Sequence, residues 1–128
     1  MYELKYKSVF GSDYILRFKI DTYEADKSLA VQAYYEEEDG MWCPFATITV
    51  CLGTENKLNC ALVDENNIPG IGGILEKAGV AKPTGRVMQS GFCTYPEYKF
   101  NTSVLKKMDA NGYSEYLKKK WQPQSYRL

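Results

Sequence analysis

Tyr2-Glu-Leu-Lys-Tyr-Lys-Ser-Val-Phe-Gly-Ser-Asp-Tyr-Ile-Leu-Arg-Phe-Lys-Ile-Asp21 alternates apolar and charged side chains over most of its length. A period of two places successive side chains on opposite faces of a strand, so residues 2–10 and 13–21 read as two half-buried strands. Gly11-Ser12 between them suits a two-residue type II′ hairpin turn, with the glycine supplying a positive φ. Tyr14, Leu16, Phe18 and Ile20 share the inward face. Arg17 and Lys19 join Lys5 and Lys7 on the other, a solvated cationic face without the interleaved aromatics of a base-stacking platform.

The pattern continues outward. Residues 28–36 form a third strand with Leu29, Val31, Ala33 and Tyr35 on one face. Glu36-Glu-Glu-Asp-Gly40 closes with Asp-Gly, a type I′ hairpin signal, and its carboxylates repel one another into water. Met41 to Leu52 is the most apolar strand. Trp42, Ala46, Ile48, Val50 and Leu52 alternate with Phe45, Thr47 and Thr49, and this strand is expected at the centre of the sheet, with Pro44 at its start or at a bulge. After a polar loop, Cys60 to Val63 gives a short fifth strand.

A helix follows over 68–79, with Asn67 as N-cap, Pro69 in the first turn and Gly79 as the C′ stop. Pro-Gly-Ile-Gly-Gly (69–73) lacks the Gly-Lys-Ser/Thr of a phosphate loop. Near the C-terminus, Asn101 caps one helix, Asp109-Ala-Asn-Gly112 breaks it, and a second helix runs from Tyr113 to Lys120 with Tyr116, Leu117 and Trp121 as packing residues. The fold class is therefore α+β, an antiparallel meander of four to six strands packed by a short middle helix and a C-terminal helical segment, with Tyr14, Leu16, Phe18, Val31, Ile48 and Val50 in the core. Residues 1–121 are read as one domain and 122–128 as a tail.

Composition narrows the function. The 128 residues carry 16 Lys/Arg and 16 Asp/Glu and no histidine. Imidazole-dependent hydrolases and His-containing metal sites are thereby excluded. The charge is uneven: residues 1–65 hold six Lys/Arg against twelve Asp/Glu, and residues 66–128 hold ten against four. Overall neutrality argues against a nucleic-acid partner. No apolar run reaches the ~20 residues of a membrane span, and no signal peptide is read at the N-terminus, so a cytoplasmic location is expected. Cys43, Cys51, Cys60 and Cys93 lack zinc-knuckle spacing and are expected as buried, reduced thiols. No metal or cofactor is implied.

Thr84-Gly-Arg-Val-Met-Gln-Ser-Gly-Phe-Cys-Thr-Tyr-Pro-Glu-Tyr-Lys-Phe100 is the stretch without a clean strand or helix period. Gly85 and Gly91 bracket Arg86, Gln89 and Ser90, an arrangement suited to a ligand or partner loop as well as to a structural turn feeding the last strand. Arg86 would be the charge partner of an anion, with Gln89, Ser90 and Tyr95 orienting it and Phe92 stacking on it. On that reading Arg86→Ala should abolish binding and leave the melting temperature nearly unchanged.

Leu-Val-Asp-Glu-Asn-Asn (62–67), Pro-Thr-Gly-Arg (83–86), Gln-Ser-Gly-Phe (89–92), Tyr-Pro-Glu-Tyr-Lys-Phe (95–100), Leu105, Asp109, Gly112 and Tyr116 together resemble an uncharacterised bacterial domain-of-unknown-function family, found in gut bacteria, their conjugative elements and phages. The resemblance covers residues 28–121. It implies a small intracellular accessory protein of mobile elements, of the kind that acts by binding a host defence protein or its signalling molecule. Three functions follow. The first is a non-enzymatic protein-binding module, supported by eleven tyrosines and two tryptophans. The second is a binder of a small anion or nucleotide through residues 84–100. The third is an enzyme without histidine using Asp64, Glu65, Glu97, Tyr95 or Cys93. The favoured partner is a protein, with homo-oligomerisation open.

Overall fold

The computed structural model describes residues 2–53 and 56–120. Trp121 and the tail at 122–128 lie outside the described residues. The fold is α+β, and the described residues form eight strands in two antiparallel four-stranded sheets, with three helices.

The first sheet is the expected meander. Strands β1 (Leu4–Lys7), β2 (Asp13–Thr22), β3 (Leu29–Glu36) and β4 (Trp42–Thr47) lie in that order. Leu4 pairs with Leu16, and Leu16 with Tyr35, so one face carries Leu4, Tyr6, Leu16, Phe18, Ile20, Val31 and Ala33 into the core. Both tight turns differ from the two-residue forms expected. Ser8 N–H donates to Ser12 O and Gly11 N–H to Ser8 O, while Glu37 N–H donates to Met41 O and Gly40 N–H to Glu37 O. Each is a three-residue loop ending in a left-handed glycine, Gly11 and Gly40, both at φ 84°. Gly11 takes its positive φ as the last loop residue, not as the first central residue of a type II′ turn, and the 38–40 loop has a single positive φ where a type I′ turn needs two.

The apolar run 41–52 is not one central strand. It splits into β4 and β5 (Thr49–Val50), and each half is the edge of a different sheet. The hinge is Ile48, whose N–H donates to Val31 O and whose carbonyl accepts from Asp64 N–H, both at 2.8 Å. Pro44 sits opposite Tyr34 at a bulge, with Phe45 as the extra residue. That residue reverses the phase of the strand. Trp42 shares the outer face with Glu36, Ala46 turns toward the core with Ala33, and Phe45 packs at the core's edge against Tyr6 and Tyr14. Of the expected core residues, Leu16, Phe18, Val31 and Ile48 are buried, while Tyr14 and Val50 are half-buried.

The second sheet is ordered β5, β6 (Cys60–Val63), β8 (Cys93–Phe100), β7 (Ala81–Ser90). Its inner face supplies Ala61, Val63, Ala81, Tyr98 and Phe100 to the same buried cluster. Helix α1 (Ile71–Lys77) packs against β7 of this second sheet rather than on the meander. Its N-cap is Gly70, not Asn67, and the N–H groups of Gly70 and Gly72, which have no partner within the helix, donate to the two carboxylate oxygens of Glu65, each at 2.8 Å. Gly79 closes α1 as expected: Gly79 N–H donates to Glu76 O and Val80 N–H to Leu75 O, the paired bonds of a Schellman end.

Helix α2 (Thr102–Met108) is capped by Asn101, whose Oδ1 accepts from Ser103 and Val104 N–H. Helix α3 spans Ala110–Lys120. The break falls on Asp109 alone. Its Oδ1 accepts from Gly112 N–H and its Oδ2 from Ile20 N–H, both at 3.0 Å, so one side chain caps α3 and fixes the corner against β2. A Cβ on Gly112 would meet the Ile20 carbonyl and that carboxylate, which explains the glycine in a helix start. All four thiols are free, but Cys60 alone is buried, with Cys43, Cys51 and Cys93 half-buried.

Candidate functional site

Residues 84–100 form a β-hairpin rather than an irregular loop. Met88 pairs with Tyr95, Gln89 with Thr94 and Ser90 with Cys93, which leaves Gly91-Phe92 as a two-residue turn. Gly91 has φ 60°, the left-handed first position of a type II′ turn. Glycine was thus placed for the reason read from the sequence, but in a ladder that the period had hidden. Pro83, the bulge and mixed faces on an edge strand blur the alternation, and β7 is exposed along nearly all of its length.

The bulge sets Arg86. Pro83 pairs with Tyr98 and Val87 with Pro96, so Thr84, Gly85 and Arg86 together face Glu97. Gly85, at φ 92°, makes that excursion without the Cβ clash of an L side chain. The Arg86 guanidinium donates to Glu97 Oε2 at 2.8 Å, and Thr84 Oγ1 donates to Glu97 Oε1 at 2.8 Å. Glu97 is buried, with 6% of its surface exposed. A buried carboxylate requires such partners, because an unpaired charge in a poorly solvated site is costly. Arg86 therefore answers a charge inside the fold. Glu97 and Thr84 as its partners were not legible, because a bulge of three residues breaks the register that would have aligned them.

The other sequence-selected residues separate in space. Gln89 and Ser90 are exposed on β7, and Phe92 stands at the tip with its side chain fully open to solvent, as exposed as in an extended peptide (106%). Tyr95 is half-buried on the face of Met88. Partial burial and then the neighbouring Cys93 thiol hold its phenol above the ordinary value. Arg86 and Tyr95 share a sheet face, whereas Phe92 points away at the turn. The acid–base candidates are likewise spread among structural tasks: Asp64 binds Asn67, Glu65 caps α1 and Glu97 holds Arg86.

A second surface forms on the first sheet. The register brings both of its tight turns, 8–12 and 37–41, to the same end. There a cleft of about 970 Å³ is lined by Glu3, Asp13, Tyr14, Ile15, Tyr35, Trp42 and the 36–39 carboxylates. On the neighbouring outer face Arg17 stacks over Trp42 at 4.1 Å, and Lys19 lies 5.5 Å from the Tyr34 ring. The aromatics that the cationic face lacks in β1 and β2 are supplied from β3 and β4, through the bulge at Phe45.

Among the described residues, no group of three or more His, Cys, Asp or Glu is arranged to hold a metal ion. None of the described helices is long and apolar enough to cross a membrane. The model of a domain of unknown function (DUF4313) matches residues 17–121, and the chain belongs to that family. No curated protein and no solved structure matches it.

Proposed function

We propose that this family member is a non-enzymatic binding protein that acts through protein–protein contact, with the tip of the β7–β8 hairpin as its docking point. The observation that carries the reading is Phe92. A fully exposed aromatic on a two-residue turn is an anchor whose backbone is held by the hairpin ladder, and with only two side-chain torsions it loses little conformational freedom when a partner buries it. Val87, 52% exposed on the same hairpin, extends the apolar contact, and Gln89 and Ser90 add hydrogen-bonding groups. The resemblance set out above supports placing it as a small intracellular accessory protein of a bacterial mobile element, countering host defence by occupying a host protein.

The anion-binding alternative draws on Arg86 and Tyr95, and it requires the guanidinium to exchange Glu97 for the ligand. The hairpin tip needs no such exchange. The test is affinity capture from a bacterial host lysate with wild type, Phe92→Ser and Val87→Ser, read by quantitative mass spectrometry. A partner held by wild type and lost with Phe92→Ser is expected. Equal capture by all three would remove the tip from the interface.

A further inference from the structure

The cleft at the turn end of the first sheet is built unlike the hairpin tip, and it belongs to the other sheet. Its walls are aromatic. Tyr14 and Tyr35 meet edge to face with ring centres 5.5 Å apart, and Tyr14 also packs against Phe45 at 4.9 Å, so the wall is braced from the core side. Its rim is acidic. Glu3, Asp13, Glu36, Glu37, Glu38 and Asp39 line it, with no Lys or Arg among the lining residues. Apolar side chains stand exposed at the same end of the sheet: Phe10 at 93%, Val9 at 66%, Met41 at 63% and Ile15 at 49%. Exposed apolar groups gathered around a groove mark an interaction surface.

We infer that this cleft docks an extended, arginine- or lysine-rich segment of a partner protein, its cations paired with the carboxylate rim and its stems laid against Tyr14, Tyr35 and Trp42. The fold already displays the recognition mode once. Arg17 stacks its guanidinium on Trp42 at 4.1 Å while bonding Glu3 at 2.8 Å, so a cation is seated between an aromatic face and a rim carboxylate. The carboxylates themselves are distributed around the rim. They do not converge as metal ligands do, which favours several spaced side-chain cations over a single ion. Burial and then Glu37 hold the Cys43 thiol above its ordinary value, consistent with negative potential at this end of the sheet.

The test is fluorescence anisotropy of labelled octa-arginine, with octa-glutamate as control, at low and at raised salt. Octa-arginine should bind at about 50 mM NaCl and weaken at least tenfold by about 300 mM, as screening of exposed charges requires. Glu37→Lys/Asp39→Lys should weaken binding at least tenfold, as should Trp42→Ala. Phe92→Ser should leave it unchanged, which separates this surface from the hairpin tip. Glu36→Gln/Glu38→Gln, which removes charge without reversing it, serves if the lysine pair does not fold. No binding at low salt, or equal binding by the charge variants, overturns the assignment. So does a concentration-dependent dimer in sedimentation that the lysine pair abolishes, because the occupant is then a second copy of this chain.

Discussion

The backbone N–H of Asn59 donates to the Tyr116 hydroxyl at 2.9 Å, joining the entrance of β6 to the middle of α3 across 57 positions. Asn59 is the centre of a buried polar knot. Its Oδ1 accepts from Tyr113 Oη at 2.9 Å and its Nδ2 donates to Thr102 Oγ1 at 2.8 Å. Its backbone is left-handed, φ 63°, which asparagine tolerates better than other side chains. Tyr116→Phe keeps the ring and removes the acceptor, leaving a buried N–H unpaired. The expected loss is about 1–3 kcal/mol of unfolding free energy in urea titration. A loss within error would show that water satisfies that N–H.

Alkali should weaken the fold through the same tyrosine. Burial pushes the Tyr116 phenol up to about 12 from its ordinary 10.0. The folded state therefore holds its proton at pH values where the unfolded chain has released it. The contribution is complete below pH about 10 and falls as pH rises toward 12, by up to about 2 kcal/mol. Burial raises Tyr6, Tyr23 and Tyr98 in the same direction. Melting temperature measured from neutral pH to the alkaline limit should decline most steeply above pH 10, and less steeply in Tyr116→Phe than in wild type.

Asp109 holds a corner that no other described contact duplicates in kind: it caps α3 and occupies the β2 amide of Ile20 beyond the end of β1. Asp109→Ala should cost about 1–3 kcal/mol and speed hydrogen exchange at the Ile20 amide. Gly112→Ala should destabilise as well, by steric contact with the Ile20 carbonyl. An unchanged Ile20 exchange rate in Asp109→Ala would dismiss the carboxylate as a clasp.

Arg86→Ala now carries a different expectation from the one its sequence suggested. It leaves the buried Glu97 with Thr84 as its remaining side-chain donor, so the fold should lose about 2 kcal/mol, less than a wholly buried pair because the Arg86 side chain is 41% exposed. Adding Glu97→Gln should restore much of the loss, which a double-mutant cycle reads directly. A melting temperature untouched by Arg86→Ala would return the guanidinium to the pool of groups free for a ligand.

The meander was legible because Tyr2 to Asp21 keeps a period of two over most of its length and Leu29, Val31, Ala33 and Tyr35 recur at that spacing, and β6 because Cys60 to Val63 is a short apolar run between turn residues. The second sheet was hidden by local irregularities. Phe45 shifts the phase of β4, Ile48 breaks a continuous apolar run into two strands, and the Thr84-Gly85-Arg86 bulge erases the alternation of β7. None of these leaves a residue type that distinguishes it from ordinary sequence, since each depends on which strand lies alongside. The candidate site divides the same way. Phe92 at the turn follows from its glycine neighbour, whereas the acidic cleft needs two hairpins brought to one end and a tryptophan turned outward by a bulge three residues away.

Ile48 gives the molecule a further property. With its N–H committed to Val31 and its carbonyl to Asp64, a single residue carries the ladder from one sheet into the other. The two sheets are thereby stitched at the Ile48–Thr49 corner, where Thr49 Oγ1 also accepts from Val31 N–H at 3.1 Å. Prying β4 from β3 pulls on β5 and β6, so mechanical load or a local opening at either sheet is felt by the other as a loss of its own edge.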